Sequence, residues 1–520
     1  MLRRLLAGRG FYIGLMFHEA AERNGRTDIV LDQPLQLAPE DGTSFTVARL
    51  AELIGTLGAR LRAAGVRPGD RVALHKTENF DIVLLACAIS RIGAVPALLS
   101  PTLDGATATE LLRRLDRPWL VTDGDRFDAA LAGAPLAEVT RAVLLSCGGT
   151  RPGTTPLPVQ DEPREAEPVL LHPRQPTLIT HSSGTTGVPK LVVHSAEALW
   201  HRLLPQKLWS WPMRGRKAAF CVSFVHSRFY HALGVFLHYG SPMVIAVDPA
   251  PDKIGPLFAR TRPQVVETHP NTYVEWEQLA DAQDRPLGAV RFYTGTFDAM
   301  HPRTIQRLLS ASRQRNPLFL AFYGQSETGP VAGRWYTRRS AGSADGRCVG
   351  RSLPGFTRVR ITSPAGGRAA TGATGHIEVR SRSRAVTYLG EDARWQSQLS
   401  GGWWRMGDMG YKDRLGFLHL LDREADRIAT VDSNLEAEDV LMGRLPELRE
   451  VVIVEGPGGE AVPVVCTRDE RPLDMDRWRG AVADLAPMCD PVAFRFEELP
   501  RTGTWKIRRH QLSEMLRVVR

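Results

Sequence analysis

Thr180-His181-Ser182-Ser183-Gly184-Thr185-Thr186-Gly187-Val188-Pro189-Lys190 follows a short apolar strand, Thr177 to Ile179, and leads into another, Leu191-Val192-Val193. Glycines let backbone N–H groups face the oxygens of a bound anion, hydroxyls donate further hydrogen bonds, and the lysine adds charge. The stretch reads as a phosphate cradle. It is not a Walker loop, because five residues on from Gly184 stands Pro189 where that pattern needs Gly-Lys. A flexible Ser/Thr/Gly linker shares the composition, but linkers seldom end in Pro-Lys and pass straight into an apolar strand.

Helix and strand signals alternate on both sides of this loop. Upstream, Phe45 to Ala64 carries Leu50, Leu53, Leu57 and Leu61 at helical spacing, and Gly65 to Asp70 is a turn. Arg71 to Leu74 and Ala94 to Leu99 read as strands around a buried helix, Asp81 to Ile92. Such alternation implies a largely parallel sheet. Prolines crowd the segment from Gly148 to Pro176, a surface crossing. Alternation resumes from Leu178 to Phe322, and 350–421 is β-rich. The last hundred residues form a small α/β unit, with helices at Glu436–Leu445 and Asp474–Leu485 and strands at Glu450–Glu455 and Val462–Thr467. No internal repeat is visible.

Composition narrows the class. The chain has 520 residues, 43% hydrophobic, 24% charged and 7% aromatic, which are globular values. Its net charge of +9 comes without a clustered basic block, so it suits an anionic small molecule and not a nucleic acid. Only seven of the 66 basic residues are lysine, leaving 59 arginines, so each lysine hints at a position that needs an ammonium. The six cysteines are scattered without C-x-x-C, as in a reducing compartment. Arg9 interrupts the apolar start before a signal-peptide core forms, and the apolar run Ile82 to Ser90 is too short for a membrane span. The expectation is a cytoplasmic protein with no membrane, nucleic-acid or stable protein partner.

The Thr180–Lys190 loop resembles the phosphate-loop signature of the adenylate-forming superfamily: acyl-CoA synthetases, peptide-synthetase adenylation domains and luciferases. Further motifs resemble that family in its own order. Tyr323-Gly324-Gln325-Ser326-Glu327-Thr328-Gly329 looks like its adenine and magnesium motif, and Gly350-Arg351-Ser352-Leu353-Pro354-Gly355 like the turn that follows. Trp404 to Tyr411, with Asp408 between glycines, resembles the ribose motif. Asp422-Arg423-Glu424-Ala425-Asp426 resembles the interdomain hinge, and Pro500 to Ile507 the C-terminal lysine motif. The resemblance implies an α/β fold: a large N-terminal domain of stacked sheet layers with a small β-barrel-like subdomain (1–421), a hinge (422–427) and a small mobile α+β lid (428–520).

It also implies ATP and Mg²⁺. A carboxylate attacks the α-phosphate, pyrophosphate leaves and an acyl-adenylate remains, so two anions must be brought together by positive charge. Lys506 is the candidate for binding both anions, and Glu327 for holding Mg²⁺. Thr328 would donate to the α-phosphate, Tyr323 would offer its ring to adenine, and Asp408 with Arg423 would hold the ribose. Ser182, Ser183, Gly184, Thr185, Thr186, Gly187 and Lys190 would cradle the phosphates. Gly295 and Thr296, in Phe292 to Phe297, would line the adenine and acyl sites, where the aromatic content favours an aryl acid. Phe224 to Gly234 falls where the family places an acyl gate, which makes Phe224, His226 and His231 substrate-pocket candidates. The histidines lack the carboxylate or cysteine that would complete a metal site.

Three departures separate subfamilies. The hinge position usually held by lysine or aspartate is Ala425, the glycine that acyl-CoA synthetases keep after the hinge is Asp432, and the residue before Lys506 is Trp505. A side chain at 432 would obstruct a pantetheine arm, and a carboxylate there would need water. The pattern resembles the amide-forming branch, the aminocoumarin-type ligases and ATP-dependent amide bond synthetases, with an aryl acid and an amine as substrates and His226 or His231 accepting the amine proton. An aryl-CoA ligase and a catalytically inactive nucleotide-binding protein are the alternatives.

Overall fold

The computed structural model describes residues 10–158, 165–182, 188–296, 300–342, 345–502 and 506–519. The alternating pattern becomes two packed sheets. Helix α1 (Val47–Ala63) starts where the Thr46 hydroxyl accepts from the Arg49 N–H, a side-chain cap on an otherwise open helix end. Strand β1 (Arg71–Leu74) follows, then α2 (Asp81–Arg91), β2 (Val95–Leu98) and β3 (Trp119–Thr122), with β2 and β3 parallel to β1 on either side. β4 (Pro176–His181) lies parallel to β2, and β5 (Leu191–Ser195) turns back antiparallel to β4. All these strands belong to an eight-stranded sheet. Every residue of α2 is buried, because the helix is wedged into the core shared by both sheets, which is why it reads as an unbroken apolar run.

Helix α3 (Ala196–Trp209) crosses to the second sheet. There β6 (Ala218–Cys221), β7 (Val265–Thr268), β8 (Phe292–Gly295) and β9 (Leu318–Gln325) are parallel neighbours in the order β9-β8-β7-β6, and α4 (Ser227–His238) follows β6. β10 (Gly329–Tyr336) pairs antiparallel with β9. The sheet then continues without a break through Cys348–Ser352 into the β-rich stretch. That stretch holds β11 (Trp403–Lys412) and β12 (Leu418–Arg423) in a 14-stranded whole, so the small β-barrel-like part is hydrogen-bonded onto the second sheet.

After the short turn Glu424–Asp426 comes α5 (Asn434–Arg444). Then β13 (Leu448–Glu455), β14 (Ala461–Thr467) and Val492–Ala493 form a separate three-stranded sheet. This unit sits against the large part through charged contacts. Arg347 meets Glu436 at 2.7 Å, Arg468 meets Glu277 at 2.9 Å and His301 meets Asp439 at 3.2 Å. Among the described residues no helix is long and apolar enough to cross a membrane.

Candidate active site

Parallel strands end on one edge of a sheet, and ligands in such sheets gather at that edge. Here the edge gathers His226 after β6, His269 after β7, Thr296 after β8 and Tyr323 near the end of β9. The β9–β10 connection is a tight hairpin, so Ser326, Glu327 and Thr328 project from a turn. Gly324 is required there, since a Cβ would lie 2.2 Å from the Gly329 carbonyl oxygen.

Glu327 is 4% exposed, and the Tyr388 hydroxyl donates to its Oε1 at 2.5 Å. Lys190 Nζ donates to the same hydroxyl at 3.4 Å and lies over the Tyr388 ring. Burial lowers the Lys190 pKa, while the charge of Glu327 opposes that shift. From the other side Arg202, 1% exposed, donates to the Glu327 carbonyl at 3.1 Å and the Ser383 carbonyl at 2.8 Å. Burial brings its pKa down to about 10, so it stays cationic at neutral pH. Thr328 is buried behind Glu327, 1% exposed. Ser182 closes the loop base, its N–H donating to the Lys190 carbonyl and its hydroxyl accepting from the Lys190 N–H. Ser183, Gly184, Thr185, Thr186 and Gly187 lie outside the described residues.

The ribose candidates meet. Asp408 and Arg423 are cross-strand partners on β11 and β12, with Nε 3.8 Å from Oδ1, and Tyr323 donates to Asp408 Oδ2 at 2.5 Å. Thr296 is 9% exposed and its hydroxyl is buried with no partner among the described residues. Gly295 packs against the Phe319 ring. These groups fit a magnesium nucleotide. Among the described residues no three His, Cys, Asp or Glu gather as a metal cage. A Mg²⁺ at Glu327 would take its other ligands from phosphates and water, its common habit.

The histidines separate by role. His226, the residue before α4, is buried, and its ring lies edge-on to His181 at 5.7 Å between centroids. Burial lowers its pKa well below the usual histidine value, with the neighbouring His181, His269 and Lys506 adding to the shift. His269 falls to about 3, first through burial and then through Lys506. The charge of Lys506 thus acts on both rings, and its segment is held by Thr502, whose N–H donates to the Lys506 carbonyl and whose hydroxyl accepts from the Lys506 N–H. His231 lies inside α4 with its ring nitrogens at the Ser227 and Leu199 carbonyls, packed between helices α3 and α4, so it is not brought to the cleft. Phe224 is 1% exposed in an aromatic cluster with Phe80 and Phe229. Trp505 lies outside the described residues, and Asp432 is exposed on the bend before α5, so its carboxylate is solvated in this arrangement. Tyr388 and Arg202 escaped the sequence reading: one looks like a core aromatic, the other is one arginine among many.

The profile of the AMP-binding enzyme family matches residues 17–389. A Streptomyces cremeus protein named 3-amino-2-hydroxy-4-methoxybenzoate diazotase is 58% identical over a 542-residue alignment, covering 100% of this chain and 98% of the relative. A 3-aminoavenalumate diazotase from Streptomyces sp is 26% identical, covering 84% of this chain and 80% of that one. In fold the chain is similar to the amide bond synthetase McbA from Marinactinospora thermotolerans, with a TM-score of 0.78 at 24% identity, covering 97% and 99% of the two chains. The chain belongs to the AMP-binding enzyme family.

Proposed function

We propose that this enzyme uses ATP and Mg²⁺ to activate a small oxyanion and passes the activated group to the nitrogen of an amino-substituted aryl carboxylic acid, as a diazotase. The observation that carries this reading is 58% identity along the whole chain to a protein of that name. Diazotisation joins a second nitrogen to an aryl amine, and the donor with the right oxidation level is nitrite. A nitrite oxygen attacks the α-phosphorus and pyrophosphate leaves. The amine nitrogen then attacks the nitrosyl nitrogen and gives up a proton to water, the bond from the nitrosyl nitrogen to the AMP oxygen breaks, and AMP departs. The N-nitrosamine takes up a proton and loses water to give the diazonium ion.

The chain's own groups suit this sequence. Lys506, Lys190 and Arg202 offset the charge of two approaching anions. Mg²⁺, held at Glu327, would neutralise phosphate charge. An aryl amine is largely unprotonated at neutral pH, so its attack needs no strong base, which matches a His226 kept neutral by burial. Amide formation, in which the aryl carboxylate is activated, is the second reading, supported by Ala425 and Asp432 at positions where CoA-forming relatives differ. Both readings share an amine acceptor.

The test incubates the protein with ATP, Mg²⁺ and 3-aminobenzoate, adding nitrite, a second amine or CoA in separate arms. Pyrophosphate release that depends on nitrite, with nitrogen from labelled nitrite in a diazo product, is the expected result. Nitrite-independent release with amide accumulation would favour the second reading, and acyl-CoA would restore the CoA-ligase alternative.

A further inference from the structure

Resting on the diazotase reading, we propose that Arg228 binds the ring carboxylate of the acceptor and so turns its amine toward the activated group. Arg228 stands two residues beyond His226, on the first turn of α4, with its side chain 21% exposed. Its Nε donates to Glu267 Oε1 at 2.6 Å and its Nη2 to Oε2 at 2.5 Å, while Nη1 donates to the Gln206 amide oxygen. Glu267 is 2% exposed, and the Thr294 hydroxyl lies 3.1 Å from its Oε2. The carboxylate is therefore fully engaged and its position set from two strands. A guanidinium carries five N–H donors. Three are used here, and two remain.

The sheet face that carries this pair is aromatic farther along. Side chains alternate across a strand, so Glu267 on β7, Thr294 on β8 and Phe322 on β9 share the face covered by α3 and α4. Trp209, at the end of α3, stacks on Phe322 at 5.3 Å. Gly333 leaves room for that stack, since a Cβ there would come within 2.8 Å of Trp209 and 3.0 Å of Phe322. An aromatic stack on the same sheet face as a held guanidinium suits a planar ring bearing an anion. A ring pocket with nothing to bind but hydrocarbon would gain from apolar side chains, because taking an ion pair out of water is costly unless its remaining hydrogen bonds are met. A carboxylate meets both remaining donors with two parallel bonds. A carboxylate about to be activated would lie instead beside Lys506 and His226.

The experiment compares 3-aminobenzoate with aniline, which lacks the carboxylate. Arg228→Met alone would leave Glu267 buried without its cation, so the informative variant is Arg228→Met/Glu267→Gln, with Arg228→Lys as the conservative partner. The parent should prefer 3-aminobenzoate in kcat/KM by about ten- to a hundredfold, the worth of a charged hydrogen-bonded pair. The double variant should lose that preference, mainly through KM, and Arg228→Lys should recover part of it. Calorimetric binding of 3-aminobenzoate without ATP or nitrite should weaken by a similar factor in the double variant. A double variant that melts like the parent yet keeps the preference, or the binding, would overturn the proposal. If the parent forms no diazo product, the diazotase reading fails by itself, and the binding measurement still decides Arg228.

Discussion

The charge of Lys506 acts on His226 and His269, two rings whose pKa burial lowers in the first place. Lys506→Ala should slow anhydride formation, read as pyrophosphate exchange, by about 10²–10³-fold, the usual loss for one positioned donor. The melting temperature should hold, since the lysine is only partly buried. Tyr388 makes a different prediction. Its hydroxyl is the donor that steadies the Glu327 carboxylate, and Glu327 is buried. Tyr388→Phe should destabilise the protein by about 1–3 kcal/mol. It should also raise the Mg²⁺ concentration for half-maximal rate by about tenfold or more, as losses behind a metal ligand do. Unchanged Mg²⁺ dependence with a lowered melting temperature would leave Tyr388 a packing residue only.

At the scale of elements, the junction between β12 and α5 is the informative one. Asp422 is the penultimate residue of β12 and is buried. Both its oxygens accept from the Asn434 N–H at 3.1 Å, and Ser433 caps the same helix by accepting from the Glu436 N–H. Asn434 in turn donates to the Asp426 carbonyl at 2.7 Å, so the hinge is tied to the helix start. Burial is the main cause that raises Asp422 from its ordinary 3.8 to about 7, outweighing the backbone donors. The folded form therefore holds a proton that the unfolded chain releases near pH 4. The stability from this group is full below that pH and is lost as pH rises to 7, at about 1.4 kcal/mol per pH unit at most. Between pH 5 and 7 the parent should lose stability relative to Asp422→Asn, which cannot titrate. Melting curves of both proteins across that range check it, and parallel curves would place Asp422 among ordinary ionised carboxylates. In sequence this junction resembles a hinge motif, and the expected helix start, Glu436, is two residues later than the observed Asn434. The resemblance sets Asp432 against a glycine, whereas the structure makes Asp432-Ser433-Asn434 a helix entry. Cap residues are local signals, but the backbone donor that Asp422 accepts from lies twelve residues away and leaves no periodicity.

For the whole molecule, the lid rests on the large domain by charged contacts that include a buried acid. Glu277 is 7% exposed, accepts from the Thr304 hydroxyl at 2.6 Å and pairs with Arg468 of the lid at 2.9 Å. Removing the arginine leaves the acid with a hydroxyl alone, so Arg468→Ala should loosen lid docking. The expected signature is faster hydrogen exchange in residues 274–281 and in β14, with anhydride formation slowed several-fold. Nucleotide affinity should change little, because Glu327, Asp408 and Tyr323 all belong to the large domain. Equal exchange in parent and variant would mean the lid is held by its other contacts. Closure of this kind is how small domains complete sites that neither part holds alone.

The sequence alone determined the alternation of helix and strand and the candidacy of the phosphate loop, the nucleotide motifs and Lys506, because each is written in local spacing or in residue types with restricted uses. Asp408 and Arg423 were legible for the same reason, since each sits inside a short motif. Only the tertiary structure decided between histidines. His226 and His231 are five residues apart and equally plausible in sequence, but one precedes the helix at the cleft while the other spends its nitrogens on carbonyls of two packed helices. It alone brought Tyr388 to Glu327 across 61 residues and Arg228 to Glu267 across 39. Such pairs carry no periodicity, and in a chain with 59 arginines composition cannot mark which of them is paired. They are made by the meeting of strand ends and helix starts that are remote along the chain, and burial then sets their charge and geometry.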